Sequence, residues 1–306
     1  MSRRGADAQL GHLVVTALLA FEIAACGGPT ATSTATPTAT PSPATIQQGR
    51  MTVDGQLRTY RLFRPQSASP GQLVPLVVLL HGCPSTSDQM AAMTHFDDEA
   101  VAGRFIVAYP DGTPCWNDGS GINAWADDVT FISRLLDRLT TDLPVDQTRI
   151  FIAGFSVGAF MSYRLACELS SRIVAIASVS GTMRYDQCHP ARPVSVLEMH
   201  GTMDSTVPYD GGIYSPKGDL QPAPSAAKVT QSWAAFDGCV GDPVQSQSGI
   251  IRVSVWNTCK AGTVVRLDTV IGGYHQWFGS DFNPVPGEPD ANAVIWSFFS
   301  SLHPMN

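Results

Sequence analysis

Ser156 stands in a Gly-x-Ser-x-Gly pattern, Gly154 to Gly158, which is typical of a serine nucleophile. A short apolar run, Ile150–Ala153, precedes the pattern, and a helical pattern, Ala159–Glu168, follows it. A serine between a strand and a helix occupies a sharp turn, and glycines without a Cβ avoid collisions with both neighbours. The first amides of the helix then point at the serine, so the Val157 N–H can help to bind an oxyanion. The stretch predicts nucleophilic catalysis by Ser156.

A serine hydroxyl needs a base that removes its proton, and the base needs an acid that fixes its tautomer. Asp204 and His275 each follow an apolar run of strand length, and ligands collect at the carboxyl ends of parallel strands. The chain order Ser156, Asp204, His275 is the order of the α/β-hydrolase arrangement. We therefore predict a triad in which His275 is the base and Asp204 the acid.

Other residues compete for these roles. His200 also follows a strand-like run, but it lies four residues before Asp204, where a hydrogen bond that holds the Asp204 loop is the simpler interpretation. His81 stands beside a glycine where an oxyanion loop is expected. His12 lies in a leader segment and His95 on a predicted helix. His189 lies in a cysteine-flanked loop, and His303 lies near the end of the chain. The alternative acids are Asp111, Asp210 and Asp268, whereas Asp127 and Asp128 are interpreted as helix caps.

A second oxyanion donor is expected in the loop after an early central strand. The apolar run Leu76–Leu80 ends in His81-Gly82-Cys83, so the donor would be the Cys83 backbone N–H. Cys83 could instead act as a thiol nucleophile. In an oxidising compartment, a disulfide to Cys115 is the stronger interpretation, and it would stiffen the oxyanion loop.

Aromatic side chains lie more often in the hydrophobic core than in a functional site. Trp277 is an exception, because it lies two residues after His275 in a glycine-flanked loop and could wall a substrate pocket. Tyr274 and Trp116 are the further candidates for this pocket.

The 306-residue chain contains 44% hydrophobic and 15% charged residues, as expected of a well-buried globular protein. Its formal net charge of −7, with no basic run interleaved with aromatics, argues against a nucleic-acid partner.

The first residues predict a targeting segment over 1–25, with a positive start at Arg3 and Arg4 and an apolar stretch that ends before Cys26. Residues 23–27, Ile-Ala-Ala-Cys-Gly, resemble the bacterial lipobox, in which the cysteine is lipidated and anchors the protein to the membrane. An ordinary secretory signal is the alternative, and both place the mature protein outside the cytoplasm. Residues 26–45 are rich in Thr, Pro and Ser and predict an extended tether. The catalytic domain is expected over 46–306.

Six cysteines remain after Cys26, and an even number in an oxidising compartment suggests disulfides. Six cysteines allow fifteen pairings, among which we expect neighbour pairing: Cys83–Cys115, Cys167–Cys188 and Cys239–Cys259. A zinc site is the alternative, but no Cys-x-x-Cys pair occurs and Cys188-His189 stands alone, so neither a metal nor a cofactor is expected.

Strand-like and helical patterns alternate along the domain. A hairpin is predicted over Met51–Phe63, with its turn at Asp54-Gly55. Strands are predicted over 76–80, 105–109, 150–153, 173–179, 194–199, 251–256 and 264–271, helices over 88–102, 129–139, 159–168, 226–236 and 291–302, and a loop over 210–223. This alternation predicts an α/β fold in which helices cover both faces of a mostly parallel sheet.

From about Ile46 onwards, the chain resembles the secreted polyhydroxybutyrate depolymerase and feruloyl esterase group of α/β-hydrolases. The motifs that carry the resemblance are Leu76 to Cys83, Tyr109 to Gly112 with Trp116-Asn117, Asp127 to Ile132, Val145 to Gly158, and His200-Gly-Thr-x-Asp204 with Val207-Pro-Tyr209. The resemblance implies a triad of Ser156, Asp204 and His275 and an oxyanion hole formed by the Cys83 and Val157 amides. It also implies a bridge between Cys239 and Cys259.

The chain departs from the family around its base. The usual Gly-Gly-His-x-Trp-Pro-Gly is Gly-Tyr-His-Gln-Trp-Phe-Gly here, over residues 273–279. The bulk of Tyr274 and Phe278 affects the expected acyl specificity more than the mechanism.

The resemblance implies a secreted or membrane-tethered serine esterase that acts on feruloyl, acetyl or hydroxyalkanoate esters. A serine peptidase of the same fold is an alternative, although such enzymes usually carry a large extra domain. A non-catalytic surface lipoprotein that binds other molecules is a further alternative, against which the three triad residues argue.

Overall fold

Strands and helices alternate along most of the chain, as the sequence pattern predicts. The computed structural model describes residues 44–69, 71–121, 123–184, 187–214 and 221–305. The predicted targeting segment, Cys26 and the tether up to residue 43 lie outside these ranges. In the part of the chain described here, no helix is both long and apolar enough to cross a membrane.

The strands are β1 (Thr45–Val53), β2 (Gln56–Arg64), β3 (Val74–Leu80), β4 (Ile106–Pro110), β5 (Val145–Phe155), β6 (Ala175–Val179), β7 (Ser195–Gly201), β8 (Gly212–Tyr214), β9 (Gln221–Ala223), β10 (Val244–Ser248), β11 (Ile251–Trp256) and β12 (Val265–Val270). The helices are α1 (Ser87–Thr94), α2 (Phe96–Gly103), α3 (Asp128–Asp142), α4 (Val157–Glu168), α5 (Ala226–Phe236) and α6 (Ala291–Ser301), with a short 3₁₀ turn at Lys260–Gly262.

One large sheet contains ten of these strands, in the order β1-β2-β4-β3-β5-β6-β7-β12-β11-β10. From β4 to β12 in that order the neighbouring strands run parallel. The two edges are antiparallel hairpins, β1–β2 on one side and β10–β11 on the other. The mostly parallel sheet predicted from the sequence is confirmed, and its shared carboxyl edge can gather residues from distant parts of the chain.

Apolar side chains cover both faces of this sheet. Every residue of β3 is buried. Leu76, Val78 and Leu80 join a core with α3, α4 and α5, whereas Val77 and Leu79 join a second core with α1, α2 and α6. Successive strand residues face opposite sides, so a strand between two helical layers must be apolar throughout.

The helix predicted over 88–102 is wrong as a single element. The structure ends α1 at Thr94 and starts α2 at Phe96, with His95 between them at φ 51°. The His95 N–H donates to the Ala91 carbonyl, while the Asn292 side chain donates to the freed Thr94 carbonyl at 2.6 Å. This tertiary contact, together with complete burial of Phe96, stabilises a break that the helical pattern does not reveal.

Two further differences lie in polar segments. The loop predicted over 210–223 contains the short ribbon of β8 and β9, which pair antiparallel. Strand β10 was not predicted, because its sequence, Val-Gln-Ser-Gln-Ser, is exposed at every position and carries no apolar alternation. Its pairing with β11 at the sheet edge is decided by the backbone.

Asp237 links the end of α5 to the start of β7. Its buried carboxylate accepts a hydrogen bond from the Val194 amide at 3.2 Å, and Trp233 one turn earlier donates to the Val194 carbonyl at 2.7 Å. Burial, opposed in part by hydrogen bonds to Thr263 and Val194, raises the pKa of Asp237 to about 7. This carboxyl group therefore resists ionisation in the folded protein.

Replacing Asp237 by Asn should stabilise the protein at alkaline pH. The folded state keeps a proton on Asp237 that the unfolded chain releases at about pH 4, so this group makes stability fall as the pH rises from about 4 to 7. Asp237→Asn removes this dependence and keeps an acceptor for Val194. We expect its free energy of unfolding, relative to wild type, to rise by on the order of 1 kcal/mol per pH unit across that window.

Urea denaturation at pH 5 and pH 8 measures the effect. The exposed Asp242→Asn is the matched control and should show the same difference from wild type at both pH values. An equally constant difference for Asp237→Asn would contradict the prediction.

Candidate active site

Ser156 lies between β5 and α4 in a strained backbone conformation, with φ 55° and ψ −119°. The two glycines of its motif lie in close backbone contacts. A Cβ at Gly154 would lie 2.2 Å from the Gly158 carbonyl oxygen, and one at Gly158 would lie 2.3 Å from the Leu80 carbonyl oxygen. Only glycine fits at both positions, which explains the spacing of the motif around the serine.

The structure brings Ser156, His275 and Asp204 together at the carboxyl edge of the sheet. His275 Nε2 lies 3.0 Å from Ser156 Oγ, and His275 Nδ1 lies 2.8 Å from Asp204 Oδ2. Because the carboxylate only accepts, Nδ1 carries the proton and Nε2 is free to take one from the serine. The His275 ring also packs against Phe155, with 5.0 Å between ring centroids.

The loops that follow β7 and β12 hold Asp204 and His275 in place. Asp204 Oδ1 accepts hydrogen bonds from the amides of Thr206 and Val207 at 2.9 and 2.8 Å. Between the loops, the Met203 N–H donates to the Gly273 carbonyl at 2.8 Å. A Cβ at Gly201 would lie 2.2 Å from that same carbonyl oxygen, so this close approach requires glycine.

The predicted oxyanion segment, His81-Gly82-Cys83, lies beside the serine. A Cβ built on Gly82 would be 3.4 Å from the Ser156 Cβ. Trp116 Nε1 donates to the His81 carbonyl at 2.8 Å, and the Gly112 amide donates to His81 Nε2 at 2.9 Å. A disulfide from Cys83 to Cys115 closes the same loop. The segment is thus held at several points, and Val157 starts α4 on the other side of the serine.

The expectation that Trp277 and Trp116 line a substrate pocket is wrong. Trp277 is 1% exposed, packs edge-on against Phe96 and donates to Asn292 Oδ1 at 2.9 Å. Trp116 is 0% exposed and supports His81 from within the core. Among the three predicted pocket residues, only Tyr274 presents its side chain to solvent, with 46% exposed beside His275.

The alternative residues have other partners. Asp127 caps α3 through the Thr130 amide, whereas Asp128 lies fully buried in a 2.6 Å ion pair with Arg58 and does not cap the helix. Asp268 binds Arg266 within β12, and Asp111 accepts hydrogen bonds from Ser87 and Thr59. None of these carboxylates contacts Ser156 or His275 in the described residues.

A series of buried, hydrogen-bonded polar side chains lies behind Asp204. Only one of them, His200, was considered as a site residue from the sequence. His200 Nε2 lies 2.8 Å from the Val207 carbonyl and 3.4 Å from Asp204 Oδ2. His200 Nδ1 lies 3.0 Å from Glu198 Oε1, and the Tyr163 hydroxyl donates to the other oxygen of Glu198 at 3.0 Å. Glu198 was missed, although an acidic residue inside the apolar run 194–199 was a signal of a buried pairing.

The two carboxylates determine the ionisation of His200. Burial lowers the pKa of His200, but hydrogen bonds to Asp204 and Glu198 outweigh it and raise the pKa to about 10. Burial likewise raises the pKa of Asp204, but hydrogen bonds from His200 and His275 hold it well below the ordinary range. Asp204 therefore faces His275 as a carboxylate.

Six cysteines form three disulfides, one of which closes the loop beside the serine. The pairs are Cys83–Cys115, Cys167–Cys188 and Cys239–Cys259, the neighbour pairs that were expected. Throughout the described ranges, the active site included, no group of three or more His, Cys, Asp or Glu side chains is arranged to hold a metal ion.

Comparison with known sequences identifies related proteins. A family model described as Esterase PHB depolymerase matches residues 58–208. Feruloyl esterase B of Piromyces equi is 31% identical over 222 residues, which cover 69% of this chain and 41% of the relative. A bifunctional acetylxylan esterase/xylanase of Neocallimastix patriciarum is 27% identical over 252 residues, which cover 80% of this chain and 33% of the relative. The chain spans less than half the length of these two relatives.

Comparison with solved structures supports the fold. An acetyl xylan esterase from Aspergillus awamori superimposes with a TM-score of 0.61 at 14% identity, covering 83% of this chain and 99% of that one. Together with the sheet order, this similarity confirms the predicted α/β-hydrolase fold.

Trp116 and Trp233 form a matched pair that tests the support of the oxyanion segment. Each indole is fully buried and donates to one backbone carbonyl, His81 for Trp116 and Val194 for Trp233. Replacing either by Phe removes one hydrogen bond, worth about 0.5–1.5 kcal/mol of stability. We expect Trp116→Phe alone to slow the labelling of Ser156 by an alkyl fluorophosphonate, roughly tenfold, because the segment beside the serine loses a support.

Labelling rates and thermal denaturation of both variants provide the measurement. Trp233→Phe should lose similar stability and react at the wild-type rate. Equal labelling rates in the two variants would show that Trp116 acts only on stability.

Proposed function

We propose that the chain, whose residues 58–208 match the Esterase PHB depolymerase family model, is an extracytoplasmic serine esterase. The reaction is the hydrolysis of carboxylic esters through Ser156, His275 and Asp204. The observation that carries this proposal is the continuous hydrogen-bonded series from Ser156 Oγ through His275 to Asp204, built on a strained strand–helix turn.

In the acylation step, His275 Nε2 takes the proton of the Ser156 hydroxyl while the oxygen attacks the ester carbonyl carbon. The oxyanion of the tetrahedral intermediate is bound by the backbone amides of Cys83 and Val157. Asp204 stabilises the imidazolium that His275 has become. The intermediate then collapses, and the alcohol leaves with the proton from His275 Nε2.

In the deacylation step, a water molecule replaces the alcohol. His275 removes its proton, the hydroxide attacks the acyl-serine carbonyl, and the same two amides bind the new oxyanion. The bond to Ser156 Oγ then breaks while His275 Nε2 returns its proton to that oxygen, which releases the carboxylic acid and restores both residues. Because an oxyanion donor typically contributes about 10²–10³ in rate, the hold on the His81–Cys83 segment matters in addition to the triad.

The substrate class is an ester carried by a polysaccharide, with an aromatic or acetyl acyl group. Support comes from the relatives, which are named feruloyl esterase and acetylxylan esterase. Tyr274 is half exposed and adjacent to His275 in the chain, and it is the aromatic residue that would contact an aromatic acyl group. Hydroxyalkanoate polyester, which the family description names, is the competing substrate.

Replacing Ser156 by Ala should abolish ester hydrolysis and leave the fold intact, because no atom but the nucleophilic oxygen is lost. The full-length chain is tested on p-nitrophenyl acetate, butyrate and octanoate, methyl ferulate and a polyhydroxybutyrate film. We expect turnover of methyl ferulate or the acetate ester and a loss of at least about 10³-fold in the variant.

Ser170→Ala is the matched control. Ser170 is also buried, and its hydroxyl accepts from the Ala191 amide rather than from a residue of the triad. It should keep wild-type activity. Full activity of Ser156→Ala would refute the esterase proposal, and hydrolysis of peptide amides without esters would favour a peptidase.

Outside the cytoplasm, the chain is held at the membrane by a lipid on Cys26. Support for the compartment comes from the three disulfides, which form in oxidising environments. Support for the anchor comes from the lipobox-like residues 23–27.

Replacing Cys26 by Ser should release the protein from the membrane fraction, because the lipid has no attachment site. Fractionation of a bacterial host that expresses the full chain, with Cys167→Ser as a cysteine control, provides the measurement. Retention of the Cys26→Ser variant in the membrane at the wild-type level would exclude the lipid anchor.

A further inference from the structure

His200 contacts both Asp204 and a second buried carboxylate, that of Glu198. Its Nε2 faces the Val207 carbonyl and Asp204 Oδ2, and its Nδ1 faces Glu198 Oε1. His200 and Glu198 are both fully buried in β7. A charged group in such a place needs partners on every polar atom, and His200 has them.

The geometry determines where the protons of His200 lie. The Val207 carbonyl can only accept, so Nε2 carries a hydrogen. Burial raises the pKa of Glu198, but hydrogen bonds from His200, Ser178 and Tyr163 oppose that shift. An ionised Glu198 3.0 Å from Nδ1 places a hydrogen on that nitrogen as well. His200 is thus an imidazolium between two carboxylates.

Resting on the esterase reaction proposed above, we propose that His200 is a positioning residue for it. As an imidazolium paired with Glu198, it orients the Asp204 carboxylate and weakens the hold of that carboxylate on a proton at His275. The contacts of His200 in the described structure are with Glu198, Val207, Asp204 and Tyr209, and Ser156 is not among them, so it acts through Asp204.

The charge of His200 has a definite consequence for His275. Asp204 stabilises a proton on His275, and a cation 3.4 Å behind Asp204 offsets part of that attraction. The charged and titratable groups around His200 are Glu198 from β7, Asp204 and Tyr209 from the following loop, Tyr163 from α4 through Glu198, and His275 through Asp204. Without the cation, Asp204 would stabilise the imidazolium form of His275 more strongly, and the reaction would run over a narrower pH range.

The test compares the pH dependence of kcat/KM in wild type, His200→Gln, Glu198→Gln and the double variant, all as full-length chains. Glu198→Gln preserves the shape of the site and removes the charge partner of the imidazolium. We expect the acidic limb, which reports the free base, to move to higher pH by roughly one unit in each single variant. The double variant should shift no further, because either substitution already removes the ionised pair.

Asp97→Asn is the matched control. Asp97 also accepts from a tyrosine hydroxyl, that of Tyr109, and pairs with the cation Arg61, but it has no contact with the triad. Its acidic limb should match wild type. A merely structural role of His200 would lower kcat and stability and leave the acidic limb in place, and that result would overturn the inference.

Nitrogen NMR of the unmodified chain keeps the test independent of variant folding. With ¹⁵N-labelled histidine, one side chain should remain doubly protonated at pH 8. Its signals should be absent from the spectrum of His200→Gln, or of the double variant if only that one folds. The absence of any doubly protonated histidine at pH 8 would overturn the inference. If the wild-type chain hydrolyses no ester, or if Ser156→Ala remains active, the function on which the inference rests is refuted instead.

Discussion

Ser156 is held in a strained backbone conformation where β5, α4 and β3 meet. A non-glycine residue at φ 55° and ψ −119° costs of order 1–3 kcal/mol and persists only where its surroundings hold it. The Ser156 N–H donates to the Val179 carbonyl of the neighbouring strand at 3.0 Å, and the Ser156 carbonyl accepts from the first turn of α4. The glycines at 154 and 158 allow strand, helix and β3 to approach closely enough to maintain this turn.

The acid and the base depend on a second close approach, between the loops after β7 and β12. These strands are adjacent and parallel, so their carboxyl ends bring residues about seventy positions apart into contact. Backbone hydrogen bonds join the two loops, and two amides bind the Asp204 oxygen that does not face His275. A carboxylate held in this way needs no rearrangement when the imidazole becomes charged.

Buried polar groups support the site from both sides. Trp116 and the disulfide at Cys83 hold the segment beside the serine, and the Glu198–His200 pair lies behind Asp204. In a low-dielectric interior such groups are strongly oriented when paired and costly when one partner is removed. The chain therefore places its least adaptable interactions around the residues whose geometry the reaction requires.

Local patterns were sufficient to predict much of this protein. The apolar run before Ser156, the glycines around it and the positions of Asp204 and His275 after strand-like runs predicted three residues that the structure brings within hydrogen-bond distance. The alternation of strands and helices predicted the mostly parallel sheet. These features are encoded by neighbours in the chain, through periodicity, turn chemistry and chain order.

The tertiary structure decided what depends on distant neighbours. The break at His95 arises from Asn292, nearly two hundred residues away, and the burial of Trp116 and Trp277 reverses their expected role. Glu198 acquires its partners from α4 and from the residue two positions along β7, which side-chain type alone does not specify. Residue types and their spacing along the chain therefore indicate which residues can do chemistry and in which elements they lie. Packing selects those that face the site, because burial and hydrogen-bond partners exist only once the elements have assembled.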